Sequence, residues 1–219
     1  MIRMSTVKTV FNKTRLNRVV IAFLALAMLA LLHTSLVSAL LSLGYLDAAD
    51  SLSSNNPDVA EAQATRYRIL ATELAEAELK ADTDDAGNSS SKPEMTSWQA
   101  QLKSRKYWQQ AINLRPTWPY YHLGALDVEV LLLDKEAVQQ RIKHIIKLAP
   151  NERGLDEGLL ILAFFVWDWV EPTEQEWLLA RLGIVPYPTL KTVFSYAKQS
   201  GNHYDICAHL AWKKVKGLC

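Results

Sequence analysis

Three carboxylates close together in the chain, Asp168, Glu171 and Glu174, are the residues best placed by type and spacing for acid–base work, and Trp167 and Trp169 flank the first of them. A pair of acids beside an aromatic platform is what glycan cleavage requires. The other reading of Asp168 is a helix-capping residue, or one salt-bridged to a base such as Arg181, in a tryptophan-rich core. The histidines at 122, 144, 203 and 209 are dispersed, and only His203 has an acid, Asp205, close by, so they outline no metal-ligand set. Asp82, Asp84 and Asp85 invite a calcium reading, but the distal acidic ligand of a helix-loop-helix calcium site is missing. No phosphate-cradling glycine loop and no nucleophile elbow occurs. No cofactor is implied.

The two cysteines, Cys207 and Cys219, form neither a disulfide framework nor a zinc pattern. A continuous helix from 203 to 216 holds them about 18 Å apart, and a bond between them demands that the tail fold back.

Charge is unevenly distributed. Residues 1–18 carry five basic side chains and no acid, which leaves 19 basic against 23 acidic in the remainder, a body of charge −4. Nucleic-acid binding needs basic residues clustered across a folded face, so the composition argues against it. The arm at 1–18 precedes a segment, 19–46, that is free of formal charge and long enough to cross a bilayer as one helix. Its hydroxyls, among them Thr34 and Ser42, are tolerable in lipid when they bond to the preceding turn. Positive charge before the span and Asp47 and Asp50 after it place the N-terminus in the cytoplasm and the body outside. The competing reading is a cleaved signal peptide with small residues at Val37-Ser38-Ala39; the continuing leucines at 40, 41, 43 and 46 favour an uncleaved anchor.

The elements after the span follow from periodicity and punctuation. Residues 57–81 form an exported helix with an apolar stripe of Tyr67, Leu70, Leu74 and Leu79. Residues 82–93, with a single apolar side chain, form a flexible acidic linker. From 94 to 183 the chain repeats itself. Ala-Ile-Asn-Leu-Arg-Pro ends at Pro116, Ile-Ile-Lys-Leu-Ala-Pro ends at Pro150, and the two prolines lie 34 positions apart, the period of a tetratricopeptide helix pair. Such units cannot bury their apolar faces alone and must stack.

The first helix of this region has Trp98, Leu102, Trp108, Ala111 and Ile112 as its apolar positions. The next pair, 120–133 and 135–148, turns at Asp134, with Leu123, Leu126, Val130 and Leu133 on one core face and Val138, Ile142, Ile145 and Ile146 on the other. A third, degenerate unit starts at Asn151 and runs through the block Phe164 to Trp169, which is too short to be a second span. It ends in a helix opened by Pro172 and closed by Gly183. Residues 184–219 supply capping helices, 189–199 and 203–216, with Leu190, Val193, Phe194 and Ala197 facing Ile206, Leu210 and Trp212. The fold class expected is therefore all-α, a transmembrane helix followed by tetratricopeptide-like hairpins. Trp108, Trp118, Tyr120 and Tyr121 are the candidate partner-binding residues, as exposed anchors on the stack; their other role is to fill gaps between helices.

The string Tyr107-Trp108-Gln109-Gln110-Ala111-Ile112-Asn113-Leu114-Arg115-Pro116-Thr117-Trp118-Pro119-Tyr120, then Leu148-Ala149-Pro150-Asn151-Glu152, then Trp167-Asp168-Trp169, resembles the VpsP-type polysaccharide biosynthesis accessory proteins over roughly 19–183. The resemblance implies a bacterial, single-pass inner-membrane protein with a periplasmic domain, partnered with polysaccharide synthesis or export proteins and with no catalytic residues of its own. A periplasmic chaperone or envelope-assembly tether is the alternative, and a glycan-active enzyme built on Asp168, Glu171 and Glu174 is a third.

Overall fold

The computed structural model describes residues 13–83 and 95–219, with side chains over 20–81 and 95–219. Of the basic arm, 1–18, residues 1–12 lie outside the described residues and 13–18 belong to the first helix; of the acidic linker, 82–93, residues 84–93 lie outside and 82–83 close the helix before it. Everything regular among the described residues is helical, and the chain divides into two compact units, 1–54 and 55–219.

In the first unit, α1 (Lys13–Ser42) contains one stretch, Val20–Ser42, long and apolar enough to cross a membrane. At about 1.5 Å per residue its 23 residues exceed the ~30 Å of a hydrocarbon core. Thr34 and Ser42 donate their hydroxyls to the carbonyls of Leu31 and Ala39, so these polar groups are satisfied within the helix itself. The helix ends because Gly44 takes φ +79°, which lets Tyr45 N–H reach the Leu40 carbonyl at 2.9 Å and Gly44 N–H the Leu41 carbonyl at 3.1 Å. A short α2 (Leu46–Leu52), not anticipated from the sequence, follows and packs on α1, burying Ala49.

In the second unit, α3 (Pro57–Thr83) lies along α4 (Ser97–Leu114). Their seam consists of small residues. Ala60, Ala64 and Ala71 meet Ala100, Ser104 and Ala111, all essentially without exposed surface, and the Ser104 hydroxyl donates to the Ala64 carbonyl at 2.7 Å. The leucine stripe was the wrong signal here. Leu79, Trp98 and Leu102 are exposed, because close helix approach selects the alanines and leaves the bulky side chains outside the seam. Thr96 and Gln99 close a reciprocal capping box at the start of α4.

Next come α5 (Pro119–Leu131) and α6 (Lys135–Leu148), an antiparallel pair whose turn is set by Leu133 at φ +54° and by Asp134, which caps α6 through Ala137 N–H. Leu126, Val130, Val138, Ile142 and Ile145 are buried as expected, whereas Leu133 lies on the turn and is exposed. The helices α7 (Asp156–Phe165) and α8 (Pro172–Leu182) are separated by a 3₁₀ turn at Trp167–Trp169, so the tryptophan block is not one continuous helix. Helix α5 also touches α7, and α6 touches α8. Finally α9 (Tyr187–Gln199) packs on α7, and the last helix breaks into α10 (His203–His209) and α11 (Trp212–Val215) at Leu210, which is extended. Trp212, expected in the core, is exposed, and Val215 is buried in its place. The tail thereby folds back, and Cys207 and Cys219 are bonded with Cα atoms 5.9 Å apart.

Candidate binding groove

Pro116 follows α4 and carries a carbonyl outside any helix, and Pro119 opens α5 with its preset φ. One turn into α5, His122 donates its Nε2–H back to that carbonyl at 2.8 Å. Its Nδ1 therefore accepts, and the donor is Arg141 Nη1 of α6 at 3.0 Å. Seven residues after His122, two turns along the same face of α5, Glu129 receives the rest of the guanidinium: Nε at 3.1 Å and Nη2 at 2.6 Å. Glu129 is only 2% exposed, so the fork neutralises a charge that would otherwise stand uncompensated in the core. The His144 ring lies 4.5 Å from that of His122. Burial pushes the His122 imidazole below its usual range, with help from Arg141 and His144 and against the bond to the Pro116 carbonyl.

This polar cluster floors an open groove of about 520 Å³ between α4 and α6. Its walls are Arg105 and Gln109 on one side and Gln140, Lys143, His144 and Lys147 on the other. Arg105 is steadied by Asp134 at 2.9 Å, and Lys143 stands 3.9 Å from Glu171. Both nitrogens of His122 are occupied, so the arrangement suits binding of negative charge rather than proton abstraction.

The histidines expected to be dispersed are thus partly brought together. The one local signal is a His and a Glu seven apart on the largely apolar α5; Arg141 and His144 join them only through the hairpin.

The four aromatic candidates separate into two kinds. Trp108 (8% exposed) and Tyr121 (1%) take the second of the two roles open to them and fill the gap between α4 and α5, whereas Trp118 is 47% exposed. Trp118 rests on Tyr120 at 5.4 Å and Tyr121 at 6.5 Å between ring centroids. Tyr120 is half-buried and donates its hydroxyl to Glu152 at 3.1 Å.

The three carboxylates have separate neighbours. Asp168 is exposed, Glu171 faces Lys143, and Glu174 accepts the Thr173 hydroxyl at 2.7 Å. Arg181, the base expected near Asp168, is paired with Asp156 instead, Nε to Oδ1 at 2.5 Å, in a buried site between α7 and α8. No group of three or more His, Cys, Asp or Glu is placed to hold a metal ion among the described residues.

No family model, curated protein or solved structure matches the chain.

Proposed function

We propose that this chain is a non-enzymatic, membrane-anchored adaptor of exopolysaccharide biosynthesis or export, anchored by α1 in a bacterial inner membrane with its helical body in the periplasm. The observation that carries this reading is the order of parts: one apolar helix, then helix pairs α3/α4, α5/α6 and α7/α8 in succession, with α5 on α7 and α6 on α8. Neighbour-on-neighbour packing of this kind fits a tetratricopeptide-like stack, whose product is a surface. The five bases of residues 1–18, ahead of the apolar stretch of α1, orient it, and a bonded Cys207–Cys219 pair suits an oxidising compartment. The pathway comes from the combined resemblance of the 107–120, 148–152 and 167–169 strings. Trp118, exposed and backed by the half-buried Tyr120, is the aromatic edge through which partners dock.

The test is a photo-crosslinking residue at position 118 in the full-length chain in cells, combined with deletion of the gene. The expected result is adducts with polysaccharide synthesis or export proteins, and loss of surface polymer. Intact polymer in the deletion strain, or adducts with a broad set of unfolded secreted proteins, refutes the pathway; the second outcome indicates a chaperone.

A further inference from the structure

The lining of the groove over His122 holds more bases than acids. Glu129, the acid among its lining residues, is buried and held by the Arg141 fork. On the walls Arg105 and Lys143 lie 2.9 Å and 3.9 Å from the partly exposed carboxylates of Asp134 and Glu171, weak surface pairs that a ligand carboxylate displaces, and Lys147 stands beside them. Gln140, Lys143, His144 and Lys147 recur at positions i, i+3, i+4 and i+7 of α6, so they form one face of that helix and are all exposed. Gln109 on α4 faces them from the other wall. A carboxamide offers a donor and an acceptor together, the complement of a peptide unit. Large apolar side chains are missing from the lining, so the occupant is held by charge and hydrogen bonds rather than by a buried anchor.

We infer that the groove between α4 and α6 takes a short extended acidic segment of a partner protein, with side-chain carboxylates on Arg105, Lys143 and Lys147 and main-chain groups on Gln109 and Gln140. The α6 wall from Gln140 to Lys147 runs about 10 Å, which matches roughly three to four residues of extended chain at about 3.3 Å each. Because rim charges act mainly by long-range attraction, binding is salt-sensitive. The inference rests on the reading of the body as a docking domain.

The experiment measures fluorescence anisotropy of a labelled hexaglutamate peptide with the full-length chain in non-ionic detergent at low salt. Hexaglutamine and an oligogalacturonate of equal charge serve as comparison probes. The variant K143E/K147E removes two groove cations; K191E/K198E reverses two exposed lysines on α9 and leaves the groove intact. Expected are binding of hexaglutamate but not hexaglutamine, on the order of tenfold weaker binding for K143E/K147E, and a change within about twofold for K191E/K198E. Absence of hexaglutamate binding overturns the inference, as does equal weakening by both pairs, which marks diffuse attraction. Groove-dependent binding of oligogalacturonate tighter than that of the peptide also overturns it, making the ligand an acidic glycan. A chain that ignores hexaglutamate but still yields position-118 adducts loses the groove and keeps the docking reading.

Discussion

Arg141 grips Glu129 with two parallel bonds, 3.1 Å and 2.6 Å, across the α5/α6 hairpin, while its third nitrogen holds His122 at 3.0 Å. One side chain of α6 thus bonds to α5 at two points two turns apart, which fixes the register of the two helices against each other.

Breaking this fork on one side is costly. Glu129→Ala leaves a guanidinium with a single neutral partner, and the expected loss is about 3–5 kcal/mol in urea unfolding. The double variant Glu129→Leu/Arg141→Met removes both charges and is expected to recover most of that. A single variant within about 0.5 kcal/mol of the parent would show that water already compensates the pair.

Acid is expected to destabilise the body through His122. The unfolded chain takes up a proton on this residue as pH falls through about 6.5, whereas in the fold burial keeps the imidazole neutral to lower pH. Stability therefore declines from about pH 6.5 down to the folded value and then levels off. His122→Asn, whose amide can still accept from Arg141 and does not titrate, removes that slope. Glu61 opposes it at lower pH. Burial, and then Asp58, raise its carboxyl against the pull of Arg115, so its contribution is present in acid and is lost as pH rises through the folded value. Denaturation midpoints from pH 8 to 4 for His122→Asn, Glu61→Gln and the parent separate the two; a parallel pH slope in His122→Asn and parent contradicts the assignment.

Gly124 is required by its neighbour. A Cβ there would stand 2.4 Å from the six-membered ring of Trp108, which is buried and abuts Tyr121. Gly124→Ala gains about 1 kcal/mol of helix propensity and is nonetheless expected to be destabilising, by about 1–2 kcal/mol net, through overpacking. In Gly124→Ala/Trp108→Leu the clash is gone, so the two effects are strongly non-additive in a double-mutant cycle. Additive values would mean that the ring moves aside freely.

Much of the helical layout was legible in the chain, and the failures share a cause. Pro119, Asp134, Pro172 and the apolar spacing of α5, α6 and α8 are local signals, and these helices fall within a residue or two of expectation. What could not be read locally was how closely helices approach. The α3/α4 seam uses alanine and serine, so a rule that ranks positions by bulk put Leu79, Trp98 and Leu102 inside when they are outside. The groove was hidden for a related reason: His122, Glu129, Arg141 and His144 become a cluster only when a hairpin closes, and sequence spacing across a turn does not report that.

In the C-terminal tail the break at Leu210 is not legible locally, because the polar and apolar spacing of 203–216 is compatible with an unbroken helix. The return path depends on Gly217 at φ +93°, where Cys219 N–H meets the Val215 carbonyl at 3.2 Å, and on Lys214, whose ammonium donates to the carbonyls of Gly183 and Val185. These contacts seat Val215 in the core against the α8–α9 region. Removing the cross-link in Cys207→Ser/Cys219→Ser frees a closed segment of twelve residues, and loops of this length are worth about 3 kcal/mol. The loss is expected to be local, since the bond spans only α10, α11 and the terminus. Trypsin should cut at Lys213, Lys214 and Lys216 much faster, and hydrogen exchange should rise across 203–219 while α5 and α6 keep their protection. Dithiothreitol should reproduce both effects in the parent chain and change nothing in the double variant. Unchanged tail protection after reduction would mean that Val215 and Lys214 hold the terminus unaided.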